Sequence, residues 1–480
     1  MIKLNIVSNF IVLFSWIFLT SCTVGPNFVK PKLDVKSNWS VPHKNNISSD
    51  KVAINWWKIF NDELLKKYIQ EAIENNNNIK TAFYNLKNSK SFVLERRAAF
   101  IPSFGLDQES IRRRTSGSSG FANAQGTTFN TFTTALQASW QIDLFGGNKR
   151  ALESAKFLEE SSKASYNDVI LTVITEVATR YFEIRQAQRQ IEITKQNAKL
   201  FKKTVEIIDV RVKFGESDDF DLVRSQGEYQ NTISKLPNLE GNMYSSIFAL
   251  SILLGKQPEY LLKEMSKFKT FPKPPDTISI GTRIEMLSRR PDIRIAENIY
   301  GASIADIGVE ISNLYPKFNL LGNIGSDAFY FKDMLSVGPS KFWSISSFID
   351  WPFFAGGAIR ARVLGKKAIS MAEYYNFKQT VLEALSNTET ALIKYEKEYQ
   401  TYKQLQEVTE TRKKAMMIAV QLFDSGETDY LSVLDVEREL TSSQEKLVDS
   451  KTQAILNLIT LYGELGGGWE LFGVPYNYVS

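Results

Sequence analysis

The chain has 480 residues, of which 43% are hydrophobic, 23% charged and 12% aromatic; 58 basic and 53 acidic side chains give a formal charge of +5. Charges of both signs are interspersed, which reads as solvated helix faces and lacks the basic footprint of a nucleic-acid binder. A single cysteine (Cys22) excludes an internal disulfide and a thiolate cluster; a single histidine (His43) leaves little room for a His-based metal site or triad, and with no Walker, HExxH or GxSxG motif no enzyme and no cofactor are expected beyond a remaining carboxylate-dependent reading.

The N-terminus begins with Lys3 and continues through an apolar run from Phe10 to Leu19. That run is too short to span a bilayer as a helix but suits the core of a signal peptide. It ends in Leu19-Thr20-Ser21-Cys22, which resembles a bacterial lipobox, with Cys22 the lipidated first residue of the mature chain. Lipoproteins with Asp after that Cys are retained in the inner membrane, so Thr23 is compatible with export to the outer membrane. Residues 1–21 are thus expected to be removed, leaving a lipidated extended segment at 22–75. No later apolar run is long enough for a membrane helix, so a spanning segment would have to be a strand.

The next signal is an internal duplication. Asn78-Ile79-Lys80-Thr81-Ala82 matches Asp292-Ile293-Arg294-Ile295-Ala296, and Ile101-Pro102-Ser103-Phe104 matches Tyr315-Pro316-Lys317-Phe318. Ile142-Asp143 with Phe145-Gly146-Gly147 matches Ile349-Asp350 with Phe354-Ala355-Gly356-Gly357, followed by Phe214-Gly215-Glu216 with Ser425-Gly426-Glu427 and Leu254-Gly255 with Leu465-Gly466. A period of about 210 residues is far too long for a solenoid and reads as a duplicated half-molecule. The halves are expected at 76–256 and 285–466, joined by a Pro-rich linker at 257–284 and followed by a tail at 467–480.

Each half opens with a helix, 76–100 and 285–314, followed by two strands, 104–114 with 129–143 and 318–331 with 341–351. Phe132, Thr134, Leu136, Ala138, Trp140 and Ile142 alternate with Thr133, Ala135, Gln137, Ser139, Gln141 and Asp143. This is the apolar-out, polar-in pattern of a tilted barrel strand, and Trp343, Ile345, Ile349 and Trp351 repeat it. Four strands cannot close a barrel, and an open edge cannot sit in lipid, so the chain must associate; a dimer and a trimer both satisfy that argument.

After the strands, long helical stretches run from Gly147 to Phe214 and from Gly357 to Phe423, each turning at a glycine and returning as a second helix. The first would be about 100 Å long. Ile170, Val177, Ile184, Ile191, Ala198, Val205 and Val212 recur every seven residues, which predicts coiled-coil packing against neighbours. A coiled-coil structural lipoprotein of the periplasm would account for the helices, but not for the strands between them or for the duplication.

Several strings together carry a resemblance. Cys22-Thr-Val-Gly-Pro-Asn-Phe-Val-Lys-Pro31, Arg289-Arg290-Pro291-Asp292-Ile293-Arg294, Phe353-Phe354-Ala355-Gly356-Gly357 and Gly426-Glu-Thr-Asp-Tyr-Leu-Ser-Val-Leu-Asp435 occur in order. They resemble the lipoprotein outer-membrane factors of tripartite efflux systems, the TolC-like family, across almost all of residues 22–470. The resemblance implies an α+β membrane protein in which three chains form a twelve-stranded transmembrane β-barrel continued by a long periplasmic α-helical barrel. It implies a passive channel whose partners are a periplasmic adaptor, an inner-membrane transporter and outer-membrane lipid, with small molecules as cargo; the outer-membrane duct of a type I protein secretion system is the alternative. It further implies an acidic constriction at Asp435, with Ser432 where some members carry a second Asp, and tip or adaptor contacts at Gly215, Glu216, Asp221, Gly426, Glu427 and Thr428. Some members lock the tip with a Tyr bonded to an Asp; here the matching positions are Phe423 and Asp221, and Phe cannot donate that bond. The Arg289-Arg290-Pro291-Asp292 string is expected to cap and pack a helix start rather than to form a charged active site.

Overall fold

The computed structural model describes residues 23–32, 34–40, 47–48, 50–116, 126–269, 271–334, 338 and 340–473. The expected signal peptide, Cys22, His43 and the end of the tail lie outside them. Four strands, β1 (Ser103–Arg114), β2 (Thr128–Ile142), β3 (Lys317–Ala328) and β4 (Lys341–Asp350), form one antiparallel sheet in chain order. The principal helices are α1 (Glu63–Asn75), α2 (Asn77–Ala98), α3 (Gly147–Lys213), α4 (Asp219–Ser234) and α5 (Leu236–Leu253) in the first half. The second half has α6 (Arg283–Arg289), α7 (Pro291–Ser312), α8 (Ala358–Asp424) and α9 (Tyr430–Glu464). Among the described residues no helix is long and apolar enough to cross a membrane.

The chain divides into two compact units. The first comprises residues 1–31, 86–162 and 295–377 and holds the sheet; the second comprises 32–85, 163–294 and 378–480 and is helical. In the sheet, register places most of the large apolar side chains of the four strands on one face. Leu136 pairs with Leu106 and Ile324, Trp140 with Leu320, and Ile142 with Phe318; Ile324 in turn pairs with Trp343, and Phe318 with Ile349. This face is uncovered: Leu106, Trp343 and Ile345 are each more than 70% exposed. The opposite face carries Gln137 and Asn323 as a pair and Thr133 opposite Asp327, with a hydroxyl-to-carboxylate bond of 3.2 Å. Ile111, Phe129, Leu321, Phe342 and Phe348 interrupt that polar face.

The two halves join through β2 and β3. A Cβ at Gly325 would lie 2.3 Å from the Thr134 carbonyl oxygen and 2.8 Å from the Ala135 Cα, both backbone atoms of the partner strand. At Gly322 it would meet only the Ala138 Cβ at 3.9 Å. Gly325→Val is therefore expected to unpair the halves and abolish any heat-stable oligomer on semi-native gels, whereas Gly322→Ala leaves it intact.

Three local breaks shape the helices, and two of them divide elements expected to be continuous. The helix expected over 285–314 is divided at Arg290, whose ψ of 125° ends α6, because Pro291 disfavours helical backbone in the residue before it. Asn76, with ψ 129°, stands at the matching place in the first half, where it starts the helix expected from 76 and separates it from α1. Helix α1 itself lies within the 22–75 segment expected to be extended, capped by Asp62 on the amides of Leu64 and Leu65. The Asn76 side-chain oxygen accepts from the amides of Asn78 and Ile79 at 2.8 and 3.2 Å. The return helix of the first half is split at Lys235 because Pro237, in the first turn of α5, cannot donate an intrahelical bond, whereas its counterpart α9 runs unbroken for 35 residues. The heptad series along α3 also drifts. Ile170, Val177 and Ile184 are fully buried, but Ile191, Val205 and Val212 are half-buried, and Ile193, Phe201 and Ile208 take over the core. A helix of 3.6 residues per turn rotates about 20° per heptad out of a strict sevenfold repeat.

Candidate functional site

The ends of the two long hairpins are built alike. α3 closes with the Gly215 amide donating to Val212 O at 3.0 Å and the Glu216 amide to Arg211 O at 2.8 Å. α8 closes with the Gly426 amide on Phe423 O at 3.1 Å and the Glu427 amide on Leu422 O at 2.8 Å. This paired bonding satisfies the last carbonyls and requires a left-handed residue, supplied by Gly215 at φ 73° and Gly426 at φ 80°. Each return helix then starts on an aspartate: Asp218 accepts from the Asp221 amide at 2.9 Å, and Asp429 from the Ser432 amide at 3.0 Å. The hydroxyl and amide of Ser432 hold the Asp429 carboxyl below the usual carboxylate range.

Glu216 and Glu427 are exposed, and Thr428 is half-buried. A Cβ at Gly215 or Gly426 would point into open space. Asp221 accepts from the Ser217 hydroxyl at 3.1 Å. Phe423 is buried with Phe201, Ile208, Met416, Tyr430 and Leu434 in a distal apolar core. The Arg211 guanidinium lies 4.0 Å from the centre of its ring. Phe423 thus secures the tip by packing beneath a cation, not by a side-chain hydrogen bond.

Asp435 is exposed on α9, nine residues past Gly426. The sequence leaves it a possible i+3 partner in Arg438, but that guanidinium bonds Glu228 of α4 instead. Two features here escape a sequence reading. Phe214, Phe220 and Val223 leave an apolar patch at the end of the first hairpin, each more than 60% exposed. Glu437 is fully buried, with neither carboxylate oxygen bonded, next to a Tyr430 hydroxyl that is also unpartnered. Burial, reinforced by Glu228, pushes the Glu437 carboxyl up to about 7.

The Arg-Arg-Pro-Asp string forms a structural bridge. Arg290 donates to Asp292 at 2.7 Å and to both the carboxylate and the carbonyl oxygen of Glu464 at 2.6 Å, tying the break between α6 and α7 to the end of α9. Arg289 pairs with Glu470 at 3.2 Å. Among the described residues no His, Cys, Asp and Glu cluster could hold a metal ion.

In the sheet-bearing unit the N-terminal segment is fastened to the first turn of α3. Arg150 is buried and donates to the carbonyls of Val24 and Gly25 at 3.0 and 3.1 Å and to the Asn27 side chain at 2.7 Å. Gly25, at φ 90°, lies so close to Gly308 that a Cβ would approach its Cα to 2.5 Å.

A four-stranded sheet with two edges unpaired among the described residues and an uncovered apolar face, carried by a chain with two long helical hairpins, is the architecture of a membrane-channel subunit. The family model described as outer membrane efflux protein matches residues 68–256 and 284–467. The chain belongs to the outer membrane efflux protein family. Nodulation protein T of Rhizobium leguminosarum bv. trifolii is 28% identical over 449 residues, covering 92% of this chain and 94% of that one. The cation efflux system protein CusC of Escherichia coli O157:H7 is 25% identical over 458 residues, with 94% and 97% covered. The solved structure of the outer-membrane channel OprN superposes with a TM-score of 0.88 at 26% identity, over 94% of this chain and all of that one.

Proposed function

We propose that the chain is the outer-membrane channel of a tripartite efflux assembly, a passive conduit for small molecules delivered by an inner-membrane transporter through a periplasmic adaptor. The observation that carries this reading is the sheet: its apolar face is bare, its β1 and β4 edges are unpaired among the described residues, and only other copies can complete it. Three copies would supply twelve strands, an even number within the range of membrane barrels. The α3–α5 and α8–α9 hairpins would then line the periplasmic continuation. Acylation at Cys22 would anchor the N-terminal segment in the outer membrane. The tips at Gly215–Asp219 and Gly426–Tyr430, with exposed Glu216 and Glu427, Thr428, Asp221 and the Phe214–Phe220 patch, would meet the adaptor. Asp435, with the Arg438 ion pair given to Glu228, would face its copies across the threefold axis as a carboxylate ring that narrows the pore.

Planar-bilayer recordings on the purified protein test both parts. Cation-selective conductance is expected, with block by polyvalent cations from the tip side. Asp435→Asn is expected to lower the selectivity and relieve the block by about tenfold while leaving the oligomer intact. Absence of any conductance would overturn the channel reading; unchanged selectivity and block in the variant would overturn the ring alone.

A further inference from the structure

Within the helical unit, away from the tips, a cavity of about 440 Å³ opens between α3, α8, α9 and the linker that precedes α6. Three cations converge on it: Arg189 from α3, Lys451 from α9 and Lys273 from the linker. Lys451 donates to the Phe271 carbonyl at 3.0 Å, and its ammonium sits 4.6 Å from the centre of the Phe271 ring. Among the described residues no carboxylate lines the cavity. Of the acids outside the lining, Glu192 pairs with Arg189 itself at 2.6 Å, Asp276 is held by the Tyr399 hydroxyl at 2.9 Å and by Lys403 at 3.6 Å, and Asp449 accepts from Gln186 at 2.9 Å and Gln190 at 2.5 Å. Lys273 has no ion pair among the described residues, and Lys451 has no acid partner there. Burial first, then repulsion from Arg189 and Lys273, pushes the Lys451 ammonium down to about 8.

The rest of the wall is apolar, from Ile193, Phe268, Phe271, Leu447 and Val448, with Tyr402 and the carboxamides of Gln406 and Gln444 as further hydrogen-bonding groups. Lys451, half-buried beside two further cations and without an acid partner, costs free energy that a bound anion would recover. An apolar cleft of this volume with a few convergent polar groups matches the size and make-up of small-ligand sites. We propose that this cavity binds a small amphiphilic organic anion, a carboxylate, sulfonate or phosphate ester on an aromatic or branched apolar body. The charged group would lie among Lys451, Arg189 and Lys273, with the apolar body against Phe268, Phe271 and Leu447. The proposal does not depend on the conducting path proposed above.

The test is equilibrium dialysis of 2-naphthalenesulfonate against the full-length protein in lipid nanodiscs, with empty nanodiscs as the blank. One saturable site per chain is expected at pH 6.5, with uncharged 2-methylnaphthalene failing to compete and inorganic phosphate competing weakly. The titratable and charged groups facing Lys451 are Arg189, Lys273 and Tyr402, the last raised by burial. Affinity is therefore expected to fall by about tenfold between pH 6.5 and 9.5 as Lys451 loses its proton. Lys451→Gln is expected to abolish saturable binding at pH 6.5; Lys451→Arg is expected to retain binding and flatten the pH dependence. Binding that is unsaturable, equal for the neutral compound or indifferent to both substitutions would overturn the proposal. So would a pH dependence that persists unchanged in Lys451→Arg.

Discussion

Replacing Arg290 by alanine is expected to destabilise the helical unit by about 3–5 kcal/mol, the cost of removing one partner from a buried ion pair. The guanidinium is 11% exposed and holds Asp292 and Glu464 together. Burial works against its charge, but the two carboxylates outweigh that and keep it firmly protonated. Without it, Asp292 and Glu464 face Asp168 with no cation between them, and Asp168 is already raised by burial and by Asp292. The Glu464 carbonyl at the end of α9 loses a donor as well. Arg290→Lys keeps the charge but not the planar fork and is expected to recover only part of the loss. The deficit of Arg290→Ala should shrink at acid pH, where Asp168, raised by burial and by Asp292, takes up a proton, and be largest at pH 7 and above. Denaturant midpoints for the three proteins at acid and neutral pH check this. A deficit independent of pH would show that lost packing, not lost charge, is responsible.

Glu437→Gln is expected to act in the opposite direction. In the unfolded chain the carboxyl ionises in the ordinary glutamate range, near 4.5; in the folded chain it ionises near 7, raised by burial and then by Glu228. The folded state therefore holds a proton that the unfolded state has lost, and stability falls as pH climbs from about 4.5 to about 7, then levels off. The span of about two and a half units corresponds to about 3 kcal/mol. Glutamine cannot ionise, so the variant should unfold later than the parent at pH 8 and at nearly the same point at pH 5. Thermal unfolding, or resistance of the distal hairpins to trypsin, reads the difference. An equal gain at both pH values would assign it to shape rather than to charge.

Much of this architecture is legible in the residues. Alternation in Phe132–Ile142 marks a two-faced strand because a pleat sends neighbours to opposite sides, and the matched Gly215 and Gly426 mark reversals because few other residues take that backbone. The α6–α7 break also has a local cause, in Pro291 itself. What stayed hidden depends on phase and on partners distant in sequence. Tyr430, Val433, Leu434, Glu437 and Leu440 follow helical spacing along the buried stripe of α9, so Glu437 belongs to the apolar face by position although its type suggests solvent. Arg438 could be given to Asp435 from spacing alone; only the fold brings Glu228 of α4 within its reach. The convergence of Arg189, Lys273 and Lys451 spans more than 250 residues and has no local signature.

The sheet has one further consequence, for inheritance. Its free edges differ, β1 on one side and β4 on the other, so a closed ring must join unlike edges head to tail, and every subunit takes part in two seams. A subunit whose β4 edge is damaged spoils a whole ring, not merely its own third of it. In a cell making intact and damaged chains equally, random mixing into threes leaves only about one ring in eight free of damage. Edge-strand alleles of this gene should therefore be dominant over the normal copy, whereas alleles that prevent the chain from folding at all should be recessive.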